Sequence, residues 1–191
     1  LGEEGLFQEL ACANIAKLDE YGVSKILTSC PHCFNIIKNE YPDFGGNYEV
    51  VHHSTYLAEL IEAGRLNVNS VDRGAITYHD ACYLGRHNGV VEQPREVLRA
   101  ASDADLREMQ CAGAESFCCG AGGGHAWFDL EHGEKINAIR YDQAAATGAE
   151  TIATACPYCA LMFDEISSVR DEASRLSVRD IAEILNEASR S

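Results

Sequence analysis

The chain has no apolar stretch approaching the roughly 18 residues of a membrane span, and no basic-then-apolar segment is visible at its start. Basic residues are also scarce: 15 Lys and Arg stand against 30 Asp and Glu, giving a formal net charge of −15. Such a surface repels phosphate backbones, which excludes nucleic acid as a partner. The acidic excess reads first as solvated surface, with a docking face for a basic redox partner as the alternative. An even cysteine count is missing too. Nine cysteines, without an export signal, do not suit a disulfide framework, and they point instead to metal or redox chemistry in a reducing, cytoplasmic setting. What is present is ordinary: 46% hydrophobic and 24% charged residues over 191 positions, enough for one large or two small globular domains.

Within that chain a unit recurs. "YGVSKILTSCPHCFNIIKNEYP" (21–42) aligns without a gap to "TGAETIATACPYCALMFDEISS" (147–168), at an offset of 126 residues. Gly22 falls on Gly148, Cys30 on Cys156, Pro31 on Pro157 and Cys33 on Cys159. Further on, "YLAELIEAG" (56–64) is similar to "DIAEILNEA" (180–188). Each copy reads as an amphipathic helix (6–21 and 132–147), a glycine-containing stop, and a short β-branched run, "KILTS" or "TIATA", that suits a buried strand. Cys-Pro-x-Cys follows, and proline suits the first turn of a new helix, where its missing N–H is not needed. The second copy adds a strand, "AITYH" (75–79), a loop carrying Cys82, a helix at 93–101, a strand near 104–109 and the loop Cys118-Cys119-Gly120. A further apolar run at 48–52 precedes a helix at 54–64.

This alternation predicts an α/β fold of two pseudo-repeated units. Parallel strands are covered by helices, and the cysteine loops gather at strand C-terminal ends. The division expected is 1–70 for the C-terminal part of a first unit and 71–191 for a complete second one. The counterpart of Cys118 in the first unit falls before Leu1, so the first unit is expected to be truncated and the chain to be a piece of a longer protein.

The thiols of the second unit follow one spacing rule. Thirty-five residues separate Cys82 from Cys118, thirty-five more separate Gly120 from Cys156, and two separate Cys156 from Cys159. Adjacent cysteines such as Cys118 and Cys119 rarely bond to each other, because the eight-membered ring is strained. Three loops bringing five thiols to one sheet edge suit a soft metal: an iron–sulfur cluster, zinc or cuprous copper. Glycines 120 and 122–124 allow positive φ and close backbone approach, with N–H groups free to point at sulfur.

A cysteine, a gap, Cys-Cys-Gly, a similar gap and Cys-x-x-Cys: this pattern resembles the cysteine-rich (CCG) domain repeated in heterodisulfide reductase. Related forms occur in the iron–sulfur subunits of glycolate and lactate oxidases, in anaerobic glycerol-3-phosphate dehydrogenase and in electron-transfer-flavoprotein-linked membrane reductases. The resemblance covers 75–188 throughout and only the last third of the first unit. It implies that Cys82, Cys118, Cys119, Cys156 and Cys159 bind a [4Fe-4S] cluster, cubane or non-cubane, and that Cys30 and Cys33 serve a second, partial site. It implies part of an oxidoreductase that takes electrons from a flavoprotein or iron–sulfur partner and passes them to a quinone or a disulfide. In the disulfide case Cys118 and Cys119 would sit at the reacting centre. The setting implied is cytoplasmic, at the cytoplasmic face of a membrane as part of a larger protein.

Two other classes stand beside this reading. One is a zinc-bound structural or interaction module. The other is a thiol–disulfide oxidoreductase using Cys156 and Cys159 directly, which leaves Cys82, Cys118 and Cys119 without a role. His79 and His125 are candidates to hydrogen-bond cluster sulfur. His52 and His53 read as structural, and Cys12 and Cys111 as buried small hydrophobes. "GAGGG" lacks the spacing of a dinucleotide fingerprint. Arg86 and Trp127 are near the motif in sequence and carry no assignment.

Overall fold

The computed structural model describes residues 2–70, 74–103, 105–128 and 133–189. The first copy of the repeat folds as α1 (Glu4–Glu20), β1 (Lys25–Thr28), α2 (Pro31–Asn39), β2 (Glu49–His52) and α3 (His53–Glu62). The chain continues through β3 (Ile76–His79), α4 (Cys82–Asn88), α5 (Glu92–Ala101) and β4 (Leu106–Arg107). It ends with α6 (Ile136–Ala145), β5 (Thr151–Thr154), α7 (Pro157–Val169), β6 (Ser177–Asp180) and α8 (Ile181–Ala188). Every described strand pair is parallel: β1 with β2, and a four-stranded sheet in the order β4-β3-β5-β6. The protein is therefore an α/β fold of parallel strands joined through helices, as a parallel ladder requires.

Local chemistry accounts for the boundaries. Pro31 and Pro157 each occupy the first helical position, directly after Cys30 and Cys156 in extended conformation. α8 starts with a capping box in which Asp180 accepts from Ala182 N–H at 2.8 Å and the Glu183 side chain accepts from the Asp180 N–H at 2.9 Å. β3 is buried at all four positions, the pattern of a central strand with helices on both faces.

Three expectations shift. Cys82 opens helix α4 rather than lying in a loop. The strand expected at 104–109 is only Leu106–Arg107, because the chain leaves the sheet where Glu108 turns to bind Arg95; position 104 lies outside the described residues. The helix expected at 132–147 begins at Ile136, and 129–132 likewise lie outside them.

Register sets the stage for the site. His79 is level with Thr154, and Thr154 with Asp180, so β3, β5 and β6 end together. Cys82 and Cys156 follow within three residues of those ends. Under this edge lies a core containing Tyr78, Ile152, Phe163, Ile181 and Leu185, all essentially without solvent contact. Phe34 of α2 and Ala58 of α3 belong to the same core, so helices of the first copy close over the second. The two copies differ at their middle strands. β5 pairs on both edges, whereas β1 pairs only with β2 among the described residues, and Leu27 is 53% exposed where its counterpart Ala153 is 0%.

One buried ion pair ties the strand end to the loops around it. Arg95 donates to Asp80 through two nitrogens, at 2.7 and 2.8 Å, and to Glu108 at 2.7 Å, while Asp80 also accepts from the Gly113 N–H at 2.7 Å. Asp80 immediately follows β3, and Gly113 begins the approach to Cys118. Replacing Arg95 by Leu leaves a carboxylate that is 2% exposed without its counter-charge. We expect a loss of about 3–5 kcal/mol in urea unfolding; an unchanged midpoint would show the pair to be dispensable.

Candidate metal centre

Three chain segments deliver five thiols to the C-terminal edge of the sheet. Cys82 arrives on the first turn of α4, Cys118 and Cys119 on the loop after β4, and Cys156 and Cys159 on the turn from β5 into α7. All nine cysteines are free, with Cys119, Cys156 and Cys159 buried and Cys82 and Cys118 half-buried. The Cys159 and Cys119 sulfurs are 3.3 Å apart, within hydrogen-bonding reach but far beyond a disulfide bond. Loop placement is enforced by Arg86, whose guanidinium donates to the Ala114 carbonyl at 3.1 Å and the Ser116 carbonyl at 2.6 Å.

Gly120 performs the role its sequence position suggests. Its φ is +90°, and a Cβ there would lie 3.1 Å from Ile136 Cβ and 3.3 Å from the Asn137 nitrogen, so only glycine fits. Its N–H donates to Cys118 Sγ at 3.3 Å.

Crowded sulfurs share protons, and the titration of the group shows it. Hydrogen bonds from Cys119 and then Cys82 pull the Cys118 thiol down to about 2. The same contacts push its donors up: Cys119 rises to about 12 and Cys82 further, each chiefly through its bond to Cys118. Cys156 is lowered to about 5 by Cys159 and, after burial has opposed it, by His32; Cys159 rises correspondingly, first through Cys119 and then Cys156. Five thiolates cannot occupy this volume together without a cation among them. The donor set, soft and convergent, fits an iron–sulfur or zinc centre.

The first copy's Cys-x-x-Cys meets the second's. His32 is held between Cys156 and Cys30, its Nδ1 3.9 Å from Cys30 Sγ, and hydrogen bonds with those two sulfurs raise it to about 9. Its ring lies 4.4 Å from Tyr83 and 5.3 Å from Tyr158, the residue aligned with it in the repeat. At Cys30 burial is outweighed by hydrogen bonds from His32 and the Cys33 segment, so the thiol is lowered; burial and the neighbouring Cys30 push Cys33 up to about 11. Cys30 and Cys33 thus adjoin the five-thiol group without completing a ligand set of their own among the described residues.

The remaining candidates divide. His79 is buried beside Cys119 and Cys159, with one ligand atom of each of the three within 4.8 Å of the others. His125 is exposed on the wall of a cavity of about 380 Å³ that begins at Gly120 and includes Trp127, Phe128, Ile136 and Met162. No hydrogen bond joins His125 to a cysteine among the described residues. His52 caps α3 by accepting from Ser54 N–H at 3.3 Å, and burial lowers it to about 3. His53 reaches Asp180 at 3.1 Å. Both are structural, as expected. Cys12, expected to be buried, is exposed, because it lies on the outer face of α1 while Ala11 and Ile15 face inward; Cys111 is half-buried. Sequence reasoning misses Arg140, which is fully buried next to His79, and leaves Arg86 unassigned. The signal for Arg140 is its phase, since Asn137, Tyr141 and Ala144 share its buried helix face.

A cluster of convergent free thiols at the C-terminal edge of a parallel α/β sheet is a donor set suited to a soft metal or cluster. More narrowly, the chain belongs to the cysteine-rich domain (CCG) family, whose profile matches residues 1–38 and 76–164. It is 43% identical over 185 residues to the "Probable iron-sulfur-binding oxidoreductase FadF" of Bacillus subtilis, covering 97% of this chain and 26% of that protein. It is 42% identical over 192 residues to the "EtfAB:quinone oxidoreductase" of Syntrophomonas wolfei, covering 97% of this chain and 27% of that protein. Identity is 35% over 185 residues, 95% of this chain and 44% of the relative, for a subunit of the "Dihydromethanophenazine:CoB--CoM heterodisulfide reductase" of Methanosarcina barkeri. The chain thus spans between about a quarter and under half of these relatives. No helix among the described residues is long and apolar enough to cross a membrane.

The proton sharing predicts selective chemistry in the metal-free, reduced chain. Cys118 and Cys82 are both half-buried, yet hydrogen bonds from Cys119 and Cys82 lower the Cys118 thiol, whereas its contact with Cys118 raises Cys82. Limited alkylation at pH 6, read by peptide mass spectrometry, should label Cys118 well ahead of Cys82. Equal labelling would contradict the sulfur–sulfur contacts.

Proposed function

We propose that this chain is the iron–sulfur cluster-binding module of an oxidoreductase. In this reading Cys82, Cys118, Cys119, Cys156 and Cys159 hold a [4Fe-4S] cluster. The observation that carries it is the convergence of these five free thiols, two of them 3.3 Å apart, in a site with no disulfide. When bound, such a cluster supplies one-electron transfer. The chain's own part is to supply thiolates, to exclude water with the buried faces of α7 and β3, and to aim the Gly120 N–H at sulfur. The donor would be a flavoprotein or another iron–sulfur subunit and the acceptor a quinone or a disulfide. The relatives named for a quinone and for a heterodisulfide support that pair of acceptors.

The two-unit organisation belongs to the same proposal, with a first unit at 1–70 and a second at 71–191. The separate profile matches and the 126-residue spacing of β1 and β5 support it. Cys30 and Cys33 would then serve a second centre whose remaining ligands are not among the described residues. A dithiol mechanism at Cys156 and Cys159 is disfavoured by burial: the two are 0% and 2% exposed, so neither thiolate can reach a substrate disulfide to attack it.

Single serine substitutions test the assignment. Cys82→Ser, Cys118→Ser and Cys159→Ser should each lose most of the bound iron and acid-labile sulfide of anaerobically purified protein, while Cys12→Ser on the exposed face of α1 keeps both. Full cluster content in all three variants would remove the ligand assignment.

A further inference from the structure

We propose that Arg140 locks His79 as a hydrogen-bond donor to the sulfurs of Cys119 and Cys159, and that the two residues together are the buried counter-charge of the thiolate centre. This rests on the cluster reading above and adds to it two positioning residues with defined roles.

The tautomer follows from Arg140. Its Nε donates to His79 Nδ1 at 3.2 Å, in a contact buried on both sides. A guanidinium has only donors, so Nδ1 must accept and the ring proton must sit on Nε2. A metal-ligating histidine is arranged the other way: it offers a lone pair to the metal and donates its second N–H outward, to a carboxylate, carbonyl or water. His79 has its lone pair turned toward arginine and its N–H turned inward. That N–H is buried and meets no other partner among the described residues. The sulfurs of Cys119 and Cys159 lie within 4.8 Å of one of the ring nitrogens, and they are the acceptors we assign to this N–H. An orphaned buried N–H is costly, and a thiolate or sulfide acceptor removes the cost.

Arg140 poses the same question on a larger scale. It is 0% exposed, and its donors go to His79, to the Cys111 carbonyl at 3.0 Å, to Ser116 Oγ at 3.1 Å and to Gln143 Oε1 at 2.8 Å. All four acceptors are neutral, and no carboxylate pairs with it among the described residues. The other buried arginine, Arg95, has two carboxylates. A buried cation without a counter-ion is strongly destabilising. Asp80 acts on Arg140 only through space and is committed to Arg95, so the further negative charge that fits is the thiolate centre on the far side of His79. With Nδ1 accepting from Arg140 the imidazole is neutral, so the arginine is the charge and the imidazole is its conductor. Both groups favour the more negative, reduced form of the centre and set its potential higher than the thiolates alone would.

The test uses the cluster-loaded chain, purified anaerobically, with a dye-mediated redox titration followed by electron paramagnetic resonance. His79→Leu should keep its iron and sulfide, and at the wild-type midpoint its reduced-to-oxidised ratio should fall about tenfold, the size of one charge-assisted hydrogen bond. Arg140→Met should shift the midpoint in the same direction, and the double variant should shift it no further than the larger single effect. Hyperfine spectroscopy of the reduced wild type with 15N-labelled histidine should show a weak, hydrogen-bonded nitrogen coupling that vanishes in His79→Leu. If Arg140→Met does not fold, the His79 variant and the wild-type spectrum still decide. A strong, directly bound nitrogen coupling with loss of iron in His79→Leu would make His79 a ligand and overturn the proposal. An unchanged midpoint at full iron content would overturn it as well. A wild type without iron and sulfide would instead bring down the cluster reading, and this inference with it.

Discussion

Sulfur crowding is the constraint on which the rest of the structure depends. Cys119 and Cys159 hold their sulfurs 3.3 Å apart, Cys118 is flanked by Cys119 and Cys82, and Cys156 joins Cys159 to His32. Without a cation the group survives only by sharing protons, which drives neighbouring thiols in opposite directions. With iron or zinc among them all five can ionise. The fold maintains this arrangement against the repulsion of thiolates by anchoring the cysteines to strand ends, helix starts and a clamped loop.

The elements that do so are short and their ends are well anchored. β3 and β5 finish level with one another, so His79 and Thr154 mark a common edge, with Cys82 and Cys156 just beyond it. Asp80, clamped by Arg95 and by the Gly113 N–H, ties the end of β3 to the segment that carries Cys118 and Cys119. Arg86 fixes the same segment from α4. Prolines 31 and 157 start the helices that hold the two Cys-x-x-Cys turns. The first of those turns is only partly buried, and it brings His32 between Cys30 and Cys156, where hydrogen bonds with the two sulfurs raise the imidazole.

Much of this is legible in the sequence, because spacing and period are local. The 126-residue repeat, the Cys-Pro-x-Cys turns and the glycine after Cys119 each announce a strand end, a helix start or a positive φ. What is not legible depends on distance. Arg140 and His79 are 61 residues apart, and nothing in either neighbourhood signals the other. Cys82 reads as a loop residue because Ala81 gives no capping signal, and in the structure α4 begins without a side-chain cap. β4 shrinks to two residues because Glu108 serves Arg95 instead of the sheet. Cys12 departs from expectation for the opposite reason: a free cysteine is usually buried, but its helix phase sets it opposite Ala11 and Ile15.

The central claim is that the five thiols are the ligands of an iron–sulfur cluster. Iron, acid-labile sulfide and zinc should be determined together on strictly anaerobic wild-type protein, with electron paramagnetic resonance of its oxidised and reduced forms. The proposed function predicts iron and sulfide in near-equal amounts and a paramagnetic signal in one redox state. A colourless, air-stable protein carrying zinc and no sulfide would contradict it, and would make the centre a structural one.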